Sequence, residues 1–184
     1  MKKSIILLTG LFCVVFFFQD CKKLKKYTDF DVNYSTDFVI PASGGLINLP
    51  INITTPETTT NTEGTYDNED TEAKLVDEVT MTRLNLVINS PQNASFDFLE
   101  NIEVYLSSSG QPEVMVASKY SIPQTGLRSL ELDTHNENLK AYLEESSFKI
   151  RVKTTLRQSL TYDVSMTANE TLHVKAKLKN LFKK

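Results

Sequence analysis

Beyond residue 33 the chain alternates apolar and polar positions with a period of two, the signature of strands with one face turned to a core. Tyr34, Thr36, Phe38 and Ile40 alternate, Pro41 to Gly45 supply turn residues, and Ile47, Leu49, Ile51 and Ile53 alternate again. Two such runs around a glycine-containing connection predict a hairpin. Pro50 cannot donate to a ladder, so the second run is expected at a sheet edge or a bulge. Further runs follow at Val79 and Met81, then at Leu84, Leu86 and Ile88, with a phase change at Arg83-Leu84 that predicts a bulge. Ile102, Val104 and Leu106 form another, then Val114 and Val116, then Leu130 and Leu132. Phe148, Ile150, Val152 and Thr154 alternate in turn. Val164 and Met166 precede an expected tight turn at Ala168-Asn169-Glu170, and Leu172, Val174, Ala176 and Leu178 close the series.

Two segments break the pattern. Residues 54–72 (TTPETTTNTEGTYDNEDTE) are threonine-rich and acidic with one aromatic, Tyr66, and read as a disordered surface insertion that adds little to a core. Asp67, Asn68, Glu69 and Asp70 could supply oxygen ligands to a cation, but the EF-hand spacing is missing. Near 136–145, Leu139, Tyr142 and Leu143 fall at helical spacing, with Thr134 and Glu137 placed as a capping box, so one short helix is expected there. Short strands separated by turn signals define an all-β chain, a single antiparallel β-sandwich. An immunoglobulin-like arrangement is the preferred version, while a jelly roll or a barrel would give the same alternation.

The first residues have a different character. Lys2 and Lys3 precede an apolar run from Ser4 to Phe18 that ends at Gln19 and Asp20, shorter than the about 20 residues a spanning helix needs. This is the form of an export signal. No alanine precedes Ala42, so the Ala-x-Ala cleavage pattern is missing, and Cys21 stands directly behind the signal. In these residues the chain resembles bacterial membrane-anchored lipoproteins. The resemblance implies cleavage before Cys21, acylation of that cysteine by diacylglycerol and a fatty acid such as palmitate, and a lipid-anchored place in the cell envelope. The chain then divides into an export signal at 1–20, a lipid-attached tether at 21–32 and the sandwich at 33–180. Lys22, Lys23, Lys25 and Lys26 in the tether suit anionic head groups or a plain solvated linker.

Composition narrows the function further. Losing Lys2, Lys3 and Asp20 with the signal moves the formal charge from −3 to about −4, too mild for a nucleic-acid partner. No cysteine follows Cys21, which excludes disulfides and cysteine-ligated metals from the exported part. His135 and His173 are the two histidines. Asp133, His135 and Glu137 are explained by the helix cap, and His173 falls on a solvent-facing strand position. No catalytic or cofactor-binding motif is present, so no enzyme, cofactor or metal is expected. Lys149, Arg151 and Lys153, and again Lys175, Lys177 and Lys179, line strand faces, as anion-binding stripes or as protection of edge strands. The acceptor tripeptides at Asn33, Asn52, Asn93 and Asn169 would carry no weight in a bacterial lipoprotein. The expected function is a non-enzymatic envelope lipoprotein acting as a structural or accessory protein-interaction module. The alternative is a lipoprotein that captures a carbohydrate or lipid. An exposed cluster including Tyr105, Tyr120 or Tyr162 would favour ligand capture, and an apolar patch at an uncovered strand edge would favour protein association.

Overall fold

The structure, a computed structural model, describes residues 27–177 apart from 46, 61 and 70, with the backbone alone for 27 and 62–64. The export signal, Cys21, the basic tether residues and Lys179 lie outside the described residues. Among the described residues ten strands form two antiparallel sheets. They are β1 (Tyr27–Ile40), β2 (Pro50–Thr54), β3 (Thr58–Thr59), β4 (Val76–Ser90), β5 (Leu99–Ser108), β6 (Gln111–Lys119), β7 (Ser129–Glu131), β8 (Asp133–Thr134), β9 (Ser147–Leu156) and β10 (Val164–Lys177). One sheet runs β1-β10-β4-β7; the other runs β2-β9-β5-β6-β8, with β3 also paired to β9.

The chain is thus an all-β antiparallel sandwich, as the alternation predicts. Its strand order is that of a double Greek key, a jelly roll, rather than the preferred immunoglobulin-like order. Alternation fixes which face of a strand is buried but not which strand lies beside it, and here the first strand pairs with the last along its full length, from Tyr27↔Lys177 to Ile40↔Val164. β1 and β2 fall in different sheets, so the expected hairpin does not form. The connection at 41–49, turned by Gly44 and Gly45 at positive φ, carries the chain across from one layer to the other. Leu132 makes a similar crossing on the other side, since β7 pairs with β4 and β8 pairs with β6.

The two inner faces supply one core, centred on Leu84, Leu86, Ile102, Leu156 and Met166. Burying side chains of this size yields about 1.5–3 kcal/mol each, the main force holding the layers together. The phase change at Arg83-Leu84 is a bulge in the β4–β10 ladder: Arg83 opposes Thr171 and Met81 opposes Leu172, leaving Thr82 unmatched. β2 lies at the edge of its sheet, which accommodates Pro50.

Four expectations are corrected. β1 starts at Tyr27, so residues 27–32, expected in the tether, are strand, held by ladder bonds to β10. The insertion at 54–72 is not structureless: it carries β3 and a helix, α1 (Thr62–Asn68), and buries Tyr66, whose ring meets Phe30 edge-on at 6.2 Å. One aromatic in a polar stretch is a weak pattern, yet it suffices to plug the open end of a sandwich. The second helix, α2, spans only Lys140–Leu143. Thr134 belongs to β8 instead of capping it, and Asn138 Oδ1 accepts the amides of Lys140 at 3.1 Å and Val79 at 3.2 Å. Finally, 168–170 is no turn. β10 continues through it and Glu170 points inward.

Candidate functional site

Because strands alternate in direction, the connections sort onto two ends. The near end carries the start of β1, the end of β10, and both helices. The far end carries the loops 41–49, 91–98, 120–128 and 157–163, and backbone and side-chain bonds stitch these together. Ser43 donates its amide to Leu160 O at 3.0 Å, Arg157 to Phe98 O at 2.8 Å and Phe96 to Leu127 O at 2.7 Å. Arg128 holds the 91–94 turn by donating its guanidinium to four carbonyls, those of Ile88, Pro91, Gln92 and Ala94, at 2.6 to 2.9 Å.

This firm platform displays the apolar surface of the protein. Among the described residues the large hydrophobic side chains classed as exposed are Val39, Ile47, Leu49, Tyr120, Leu127 and Tyr162, and all six lie at the far end. Leu49 is 54 % exposed, high for an aliphatic side chain with a core available to it. Between two of these loops, Asn93, Ser95, Asp97, Gln158 and Tyr162 line a polar hollow of about 270 Å³.

The basic stripe of β9 proves to be neutralised. Lys149 pairs with Glu57 at 3.0 Å, Arg151 grips Glu113 with two bonds at 2.6 and 2.8 Å, and Lys153 reaches Glu103 at 2.8 Å. The Lys153 ammonium, followed by the Tyr105 hydroxyl, holds the Glu103 carboxyl below its usual range, and Arg151 does the same to Glu113. Arg151 also covers the Tyr105 ring at 4.1 Å, while the Tyr105 and Tyr120 hydroxyls both donate to Glu103. Nor are these lysines guarding an edge, since β9 and β10 both lie inside their sheets. Lys177 is bonded to Asp77 at 2.8 Å.

His135 Nε2 lies 3.1 Å from Ser118 Oγ, Asp133 binds Lys119 at 2.9 Å, and Glu137 is exposed without joining them. His173 Nδ1 meets Asp31 at 2.9 Å on the outer face. Asp67 and Asn68 end α1, and the Glu69 amide donates to Tyr66 O, so this turn seats the buried tyrosine. On the outer face of the four-stranded sheet, Asn33 accepts from Thr171 and Asn169 from Ser35, beside Asn85 and Arg83, along a trough of about 510 Å³.

The group that sequence reasoning missed is Glu170. It is 3 % exposed, neither carboxyl oxygen has a hydrogen-bond partner, and Tyr34, Met81, Phe148 and Leu172 surround it along a cavity of about 10 Å³. Burial pushes its carboxyl up to about 7. Continuing the even-numbered phase of Met166 and Ala168 through to Leu172 would have placed it inside.

Fold and surface together define a jelly-roll β-sandwich that displays an apolar loop end. No family model matches the chain, and no curated protein does. Among solved structures it is similar to FLHE, at 9 % identity over 82 % of this chain and 97 % of that one, with a TM-score of 0.37. It is also similar to the BFDV capsid protein, at 9 % identity over 82 % and 99 %, with a TM-score of 0.41. A carbohydrate-binding module of the β-sandwich superfamily matches at 12 % identity over 84 % and 57 %, with a TM-score of 0.26. These likenesses concern the fold alone.

Proposed function

We propose that the chain is a non-enzymatic lipoprotein of the bacterial cell envelope, anchored by acylated Cys21, whose sandwich is a protein-interaction module. The observation that carries this reading is the gathering of exposed apolar side chains at the end opposite the start of β1. A tether on the N-terminal side of Tyr27 would hold the near end at the membrane and present Ile47, Leu49, Leu127 and Tyr162 outward. Four of the six exposed side chains are aliphatic, which suits a protein surface better than a sugar ring that needs aromatic stacking. The Tyr105 ring, the best placed for stacking on a sheet face, is covered by Arg151.

The test uses cells carrying a photo-crosslinking residue at Leu49 or Tyr162 on the far end, or at Ser109 on the near end, together with alkyne fatty acid labelling. Far-end positions should give a discrete protein adduct that Ser109 does not. Labelling should disappear in Cys21→Ser. Equal labelling of that variant sinks the anchor, and adducts from Ser109 alone sink the far-end contact.

A further inference from the structure

The two sheets end very differently at their margins. The six-stranded sheet closes with β2, five residues opened by Pro50, and with β8, two residues long; β7 closes one side of the other sheet with three. The remaining margin is β1. It has 14 residues, pairs with β10 in an unbroken register, and has no strand on its other side among the described residues. Natural edges are shortened, bulged, covered, or armed with proline or charged side chains, lysine above all, against further pairing. Between 27 and 40 there is no proline, lysine or arginine.

A second observation falls on the same edge. The inward-facing side chains Thr36, Phe38 and Ile40 are buried, whereas Phe30, Val32 and Tyr34 on the same face are only half buried and pack on the rim of the core. The facing margin of the other sheet is built from the short β2 and β3, which leave this stretch partly uncovered. An open row of backbone groups therefore runs beside an apolar stripe that Tyr66 and Phe148 cover only in part. Strand addition uses these two features together.

On the outer face of this strand stand Asp29, Asp31 and Asp37, all exposed, with Asp31 meeting His173 and Asp37 accepting from Thr167 on the β10 side. A second copy is a poor occupant of the full strand, because same-face residues oppose one another across a pair in the two registers that match nearly all of it. Antiparallel self-pairing centred on Asn33 sets Asp29 against Asp37, and centring on Tyr34 sets Asp31 against Asp37. Like charges directly opposite are destabilising. We propose that the edge of β1 over residues 28–35 takes an extended strand of another protein, apolar at positions facing the core rim and Lys or Arg at positions facing out. This surface is separate from the far-end loops, so either contact can stand without the other.

The test takes the full chain in detergent micelles with three nine-residue peptides: alternating Val and Lys, the same peptide with a central proline, and alternating Val and Glu. Amide hydrogen exchange is read along β1. The Val/Lys peptide should slow exchange within 28–35 at least tenfold, the proline peptide should not, and Asp29→Lys with Asp31→Lys should transfer the preference to Val/Glu. Unchanged exchange with Val/Lys, or equal slowing by the proline peptide, overturns the proposal. So does slowing that grows with protein concentration without peptide, which would make the second copy the occupant. Should the double variant fail to fold, the peptide comparison on the unaltered chain still decides.

Discussion

Glu170 is a carboxyl group set in an apolar layer with no cation lining its cavity among the described residues; the titratable neighbours are Tyr34 on β1 and, beyond it, Tyr66 on α1. Its value of about 7 against an ordinary 4.5 means that the folded chain holds this proton over a range where the unfolded chain has released it. Stability is therefore full below about pH 4.5 and declines as pH rises to about 7. At about 1.4 kcal/mol per pH unit the whole loss is about 3 kcal/mol. Glu170→Gln keeps the shape without the charge, so urea midpoints at pH 5 and pH 8 should differ less in the variant, which should be the more stable chain at pH 8. An unchanged difference between the two midpoints would mean that other groups set the slope. A lone acid at an inward strand position looks like a turn signal in sequence, which is why the phase of β10 was misread there.

Among the elements, the acidic insertion shows where pattern reading stops. Alternation marked β9 correctly, the bulge at Thr82 followed from a phase change, and Pro50 placed β2 at a margin. Each of those signals is local. The role of α1 is not local, because Tyr66 gains its value from Phe30, brought there by the pairing of β1 with β10. Tyr66→Ala removes a buried aromatic ring and should cost about 3–5 kcal/mol in denaturant unfolding. A loss below 1 kcal/mol would return the segment to the status of a surface insertion. The shortened α2 has the same lesson, since Asn138 serves Val79 on β4 as well as its own helix.

At the scale of the whole molecule, the strand order was beyond the sequence, because the partners of β1 and β9 lie far away along the chain. The same distance hid the electrostatics: Lys149, Arg151 and Lys153 read as a bare cationic stripe until Glu57, Glu113 and Glu103 arrive beside them. A net charge of −3 with this stripe neutralised predicts elution from heparin resin at low salt. Glu103→Gln with Glu113→Gln should expose the cations and raise the salt needed for elution; no change would leave the stripe without a role in surface charge. Folding is also a long-range affair, since the ladder between the first and last strands closes only after the entire domain is available.

That terminal ladder has a mechanical meaning for a tethered protein. If the membrane holds the chain before Tyr27 while a partner pulls on the far loops, tension runs along β1, and its 14 residues slide against β10 only if their ladder bonds yield together. Pulling instead between Tyr27 and Lys177, partners at one end of the ladder, would peel the same bonds one after another. Attachment on the N-terminal side of Tyr27 would thus load the sandwich in shear, the direction in which the β1–β10 ladder resists most.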